Sequence, residues 1–173
     1  MLEFRLSNLN DVPQMMKIVD GAKALLKSQN IDQWQTGYPN RPLLEADVAA
    51  GIGYVLADGD EVSGMCAITQ GAEKSYQSIK DGSWLTSGNN YLVIHRMAIA
   101  SDKQGHKYSD LMFKKIFKIA EKHSAASIRA DTHPQNQAMQ KTLARNGFCF
   151  CGIIRLIGGE EDGQIRLAYE KKL

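Results

Sequence analysis

The chain has 173 residues, 43% of them hydrophobic and 23% charged, with a formal net charge of +2. Those values predict one globular domain over residues 1–173, with enough chain to bury a core without disulfides or metal. The near-neutral charge argues against a nucleic-acid partner, and no apolar run approaches the roughly 20 residues that span a bilayer.

The amino terminus, MLEFRLSNLND, lacks a basic segment followed by an apolar one, so no signal peptide is predicted and the expected location is the cytoplasm. Cys66, Cys149 and Cys151 are odd in number. The spacing of the last two suggests neighbours on one strand face, and all three read as small buried residues in a reducing compartment. No HExxH or CxxC occurs and the four histidines are scattered, so no metal site is predicted.

In chain order, Leu2 to Leu6 alternates as a strand. Asn10 or Asp11 can cap a helix that carries Pro13 in its first turn and the apolar stripe Met15, Met16, Val19, Ala22, Leu25 and Leu26. Ile31 to Pro42 reads as a loop punctuated by Trp34 and Tyr38, and Leu43 to Ala50 as a short helix. Strands follow at Gly53 to Ala57 and Val62 to Thr69, joined by the hairpin signal Asp58-Gly59. Gly71 to Asn90 is a long polar segment in which Trp84 and Leu85 suggest a lid or an extra strand. Tyr91 to Ala100 is a strand and Tyr108 to His123 a helix. Ser127 to Ala130 is a short strand, and Pro134 is placed to open a helix ended by Asn146-Gly147. Phe148 to Ile154 and Gln164 to Glu170 are strands around a glycine-rich turn. The order predicts a mixed α/β fold, a central twisted mixed sheet flanked by helices.

The loop from Asp102 to Ser109 runs from a strand into a helix amino terminus, where unpaired N–H groups and the helix dipole favour phosphate, and it adds Lys103, His106 and Lys107. No Walker loop or dinucleotide fingerprint competes with it. The run YLVIHRMAIASDKQGHKYSDLMF resembles the central acetyl-CoA motif of the GNAT acetyltransferases, and IRADTHPQNQAMQKTLARNGF resembles that family's second signature. The segment IDQWQTGYP is similar to a bacterial branch of the family.

The resemblance implies the GNAT fold and acetyl-CoA as cosubstrate. It implies that Met97, Ala98 and Ile99 pair through their backbone with the pantetheine arm, entering where this strand splays from the next. Backbone N–H groups of Gln104, Gly105, His106, Lys107, Tyr108 and Ser109 would hold the pyrophosphate. Asn136 would hydrogen-bond the arm, with Met139 beside it. Lys107 stands where the family has glycine. Either it swings outward and adds a charge-assisted phosphate contact, or it obstructs the cradle; the first is the reading favoured.

The catalytic pattern also departs from the family. Leu143 occupies the position of a frequent tyrosine acid and Val93 that of a glutamate base. His95, two residues on and expected on the face of Val93 and Met97, matches a histidine of the arylalkylamine acetyltransferases and is the candidate base. His133 can cap a helix or face the cofactor. Trp34, Tyr38 and Trp84 are expected around the acceptor, where aromatic walls suit a cationic or apolar amine. Asp32 and Glu73 can attract an amine, and Arg96 suits an ion pair or a substrate carboxylate.

The expected activity is transfer of acetyl to a primary amine of a small molecule or peptide within a ternary complex, with the N–H near Ile99 polarising the thioester carbonyl. The alternatives are a non-catalytic acyl-CoA sensor and an interaction domain that binds no CoA. No membrane or nucleic-acid partner is expected, and a homodimer through a carboxy-terminal strand is left open.

Overall fold

The computed structural model describes all residues from Met1 to Leu173. In order they form β1 (Leu2–Leu6), α1 (Val12–Ser28), α2 (Arg41–Ala49), β2 (Gly53–Asp58), β3 (Glu61–Gln70), β4 (Tyr91–Ile99), α3 (Tyr108–Lys122), β5 (Ser127–Thr132), α4 (Gln137–Arg145), β6 (Cys149–Arg155) and β7 (Ile165–Lys172). One seven-stranded sheet results, ordered β1-β2-β3-β4-β5-β7-β6. Only β4 and β5 run parallel.

The two sheet faces carry separate cores. Leu92, Ile94, Ile128 and Leu143 pack with Met112, Phe113 and Ile116, whose helical spacing gives α3 its buried stripe. Val55, Met65 and Ala98 pack on the other face against Met15, Val19 and Leu44 from α1 and α2. No helix is long and apolar enough to cross a membrane.

Several elements differ from the sequence reading. Asp11 stands at the start of α1 without capping it. Its carboxylate instead accepts two bonds from Arg5, at 2.8 and 3.0 Å, and one from the Asn8 N–H at 2.8 Å. A two-bond pair with a guanidinium has taken the place of a bond to the helix N–H groups. Pro134 does not open α4; Asn136 caps it, its Oδ1 accepting the Met139 N–H at 3.1 Å.

Trp84 and Leu85 form neither lid nor strand. Glu170 in β7 is fully buried and tethers this segment, accepting from the Leu85 N–H at 2.5 Å, the Thr86 hydroxyl at 2.5 Å and Arg129 Nε at 3.0 Å. Burial alone would raise the Glu170 carboxyl, but bonds from Ser127, Thr86 and Arg129 outweigh it and hold the group below its ordinary value. The Trp84 ring then covers the Arg129 guanidinium, 4.2 Å from ring centroid to Cζ.

The sheet has three register shifts, and those of β4 and β6 turn side chains away from the directions that simple alternation predicts. In β4, Ala67 opposes His95 and Met65 opposes Ala98, so Arg96 and Met97 together face one residue of β3. Arg96 takes φ +54 to make this possible. Met97 therefore packs toward the core of Ile94 and not on the face of His95, contrary to simple alternation. In β6 the register shifts between Phe150 and Gly152. Cys149 is consequently exposed while Cys151 is buried, and the two do not share a face.

Candidate active site

The parallel ladder between β4 and β5 is short, pairing only Tyr91–Val93 with Ser127–Arg129. Beyond it the strands separate, because β4 stays with β3 while β5 follows β7. The Ala100 N–H donates to Ser63 O on β3 at 2.9 Å. Since successive N–H groups of an extended chain alternate in direction, the Ile99 N–H points to the unpaired edge. Two cavities meet in this opening and share Gln33, Trp34, Met97 and Met139 in their walls.

The first cavity, about 240 Å³, lies between α1, the end of β4 and α4. Its walls bring together Met97, Ala98, Ile99, Gln104, Ser109, Asn136 and Met139. Gly105, His106, Lys107 and Tyr108 lie outside these walls, on the loop leading into α3. The N–H groups of His106 through Asp110 have no acceptor within the protein, as an open helix start requires. Lys107 adopts φ +58 and ψ 23, the left-handed conformation that glycine takes most readily, and its side chain is exposed. The backbone path of the motif is thus kept without glycine, at about 1–2 kcal/mol. Asn136 is engaged at both polar ends: Oδ1 caps α4, and Nδ2 donates to Gln33 Oε1 at 2.8 Å. One amide hydrogen remains.

The second cavity, about 370 Å³, opens on the other side of Met97. His95, Trp34 and Tyr38 line it, whereas Trp84 does not. Trp34 and Tyr38 meet edge to face, ring centroids 6.5 Å apart. His95 Nε2 lies 3.1 Å from Thr69 Oγ1 and 3.6 Å from Glu73 Oε2. Burial, and secondarily Arg96, push its pKa down to about 3, so the imidazole is neutral at pH 7. Assigning the ring proton to Nε2, which faces Thr69 and Glu73, leaves Nδ1 as an acceptor with no partner in the protein.

Arg96 is committed, its Nε and Nη2 bonding Asp47 at 2.9 and 2.8 Å and Nη1 bonding the Tyr38 hydroxyl at 3.1 Å. His133 caps a turn, its Nδ1 accepting the Gln135 N–H at 3.2 Å. Leu143 is buried in the wall and brings no acid. Asp32 is not in the wall, while Glu73 is.

Sequence reasoning missed Asp131, Glu161 and Arg166, which also line this cavity. Glu161, in the turn before β7, accepts the Trp34 N–H at 2.7 Å and Arg166 Nη2 at 2.9 Å, which closes the 31–40 loop over the site. No local pattern in either segment announces a contact 127 residues apart. Asp131 accepts the Tyr76 hydroxyl at 2.7 Å. Burial raises its carboxyl from 3.8 to about 6, against the Tyr76 bond and Arg166. A folded pKa above the unfolded one contributes stability below about pH 4 that is lost as pH rises through about 6. Asp131→Asn is therefore expected to be more stable than the wild type at pH 8, by about 1–3 kcal/mol. The gap should close at pH 4, as urea unfolding at both pH values will measure; a gap independent of pH would overturn this.

The acetyltransferase (GNAT) family model matches residues 19–148. Over 99% of this chain and 95% of the other, a GNAT-family acetyltransferase from Streptococcus agalactiae is 32% identical, with a TM-score of 0.86. A GNAT-family acetyltransferase from Listeria monocytogenes shares the fold at 18% identity, covering 99% of this chain and 95% of its own, with a TM-score of 0.72. The PaiA N-acetyltransferase of Thermoplasma acidophilum, solved in complex with coenzyme A, shares it at 13% identity, covering 100% and 99%, with a TM-score of 0.70. No curated protein matches the sequence significantly. The fold and the family match agree, and the chain belongs to the GNAT acetyltransferase family.

Proposed function

We propose that the chain transfers acetyl from acetyl-CoA to a primary amine by direct attack in a ternary complex. The observation that carries this reading is the opening between β4 and β5, where two cavities meet at Met97 and Met139. One suits the pantetheine arm, beside the free edge at Met97, Ala98 and Ile99. The other suits the acceptor, beside His95, Trp34 and Tyr38. The loop from Gln104 through Gly105, His106, Lys107 and Tyr108 to Ser109 would hold the pyrophosphate. That the PaiA N-acetyltransferase of the same fold was solved with coenzyme A supports the assignment.

Acetyl-CoA supplies an activated thioester. The acceptor amine forms a bond to its carbonyl carbon, the carbon–sulfur bond breaks, and the sulfur leaves as the thiol of CoA. An ammonium acceptor gives up two protons in all, one of which ends on that thiol and the other on solvent. The first leaves to solvent before attack, and His95 Nδ1 takes the second as the nitrogen–carbon bond forms. The Ile99 N–H faces the charge that develops on the carbonyl oxygen. With Leu143 in place of the family's tyrosine, the thiol draws its proton through water.

CoA release over a panel of primary amines tests the reading, with acetyl-CoA binding followed by calorimetry. Binding without turnover on any amine would favour the acyl-CoA sensor. No binding at all would overturn the cofactor assignment.

Lys107 is assigned to the phosphate edge as a charge-assisted contact. Lys107→Gly is expected to weaken acetyl-CoA binding about fivefold, the equivalent of about 1 kcal/mol for an exposed contact. Tighter binding in the variant would mean that the side chain obstructs the cradle.

A further inference from the structure

The acceptor cavity is acidic in a way the acetyl transfer does not require. Four carboxylates line it: Glu73, Asp131, Glu160 and Glu161. The two guanidinium groups in its walls, Arg96 and Arg166, are already matched. Arg96 forms a two-bond pair with Asp47, and Arg166 bonds Glu161 at 2.9 Å. No lysine lines the cavity, and the one histidine is His95. Three carboxylates therefore stay without a cation of their own. Glu73 faces only the imidazole, at 3.6 Å. Glu160 is bonded to the Asn40 amide at 3.2 Å. Asp131 has the Tyr76 hydroxyl on Oδ2, while its Oδ1 comes no nearer than 3.9 Å to Arg166 Nε.

A second observation points the same way. Thr132 Oγ1, in the same wall and fully buried, has no hydrogen-bond partner in the protein. Thr132 follows Asp131 on the strand and leaves its opposite face, so the free hydroxyl gives this wall a separate unmet polar group that a polar ligand can satisfy. An acceptor carboxylate would find no free cation here and would meet three like charges. An ammonium would find the reverse.

Resting on the acetyltransferase reading above, we infer that the acceptor is a dicationic amine, a diamine or polyamine. Its reacting nitrogen sits at His95, and its second ammonium is held by Asp131 with Glu160 at the rim. Asp131 is here a binding residue that sets specificity and takes no part in proton transfer. The retention of a carboxylate whose burial raises its pKa fits this role, since a ligand cation would compensate it.

Three probes of one chain length isolate the second charge: 1,4-diaminobutane, n-butylamine and 4-aminobutanoate. Each carries the same reacting amine and differs only in its far end. With acetyl-CoA saturating, kcat/KM for 1,4-diaminobutane is expected to exceed that for n-butylamine by about 10–100-fold, the range of a charge-assisted contact, with 4-aminobutanoate poorest. Asp131→Asn should bring the diamine-to-butylamine ratio toward one, mainly through KM for the diamine, because the far ammonium loses its partner. Retention of the ratio in Asp131→Asn would overturn the assignment of that residue. Equal or better turnover of n-butylamine or 4-aminobutanoate by the wild type would overturn the substrate class, as would acetyl-CoA binding without turnover of the diamine. A wild type that shows no thermal shift with acetyl-CoA would instead overturn the acetyltransferase reading itself, and this inference with it.

Discussion

Asp47→Ala is expected to lower the melting temperature by about 6–20 °C, from about 3–5 kcal/mol for breaking a buried ion pair and about 2–4 °C per kcal/mol for a chain of this size. The Asp47 and Arg96 side chains are only 6% and 9% exposed. Burial raises the Asp47 carboxyl, and the Arg96 guanidinium opposes that shift by charge and by two hydrogen bonds. Removing the carboxylate leaves a guanidinium without its counter-ion in the wall of the 370 Å³ cavity. The same guanidinium is anchored at the β4 bulge, where Arg96 holds φ +54, and it bonds the Tyr38 hydroxyl. Loss of Asp47 should therefore also loosen the strand edge beside Met97 and weaken acetyl-CoA binding. Calorimetric unfolding of the variant measures the first effect and titration the second. A shift below about 2 °C would show that the pair is as weak as a surface one.

His95→Gln is expected to reduce kcat by about 10²-fold, the low end of what a positioned general base contributes. Glutamine keeps a polar group near Thr69, so little stability should be lost and the deficit should appear in the rate. A pKa held at about 3 makes His95 a weak base by itself. The Glu73 carboxylate, 3.6 Å from Nε2, is what can stabilise the imidazolium formed in passing. Glu73→Gln should consequently slow the reaction too, though less than loss of the imidazole. His95 is already deprotonated well below pH 6, so the fall in activity on acidification should follow protonation of the acceptor amine. If His95→Gln retains both the rate and the pH profile of the wild type, the base lies elsewhere and water alone would carry the proton.

The order of elements was written locally. The period-two runs of the strands, the stripe through Met112 and Ile116, the Asp58-Gly59 hairpin and the Asn146-Gly147 helix end are short-range patterns, and all of them form. Two of the misplacements came where a residue outside the local pattern claimed the group, six positions away for Asp11 and 85 for Leu85. Arg5 drew Asp11 away from capping, and Glu170 fixed Trp84 and Leu85 as a tethered loop.

The family of the chain and the strand–loop–helix that opens at Met97 are legible in short stretches of residues, because a backbone edge and a helix terminus are specified by local pattern. The cavity on the His95 side is legible only once the chain is folded. The bulge at Arg96 turns Met97 away from His95, and the carboxylates of Glu73, Asp131 and Glu161 gather from three separate segments. Such an arrangement depends on long-range pairing of charges in a shared cavity, and no short stretch of sequence encodes which distant charge a buried group will meet.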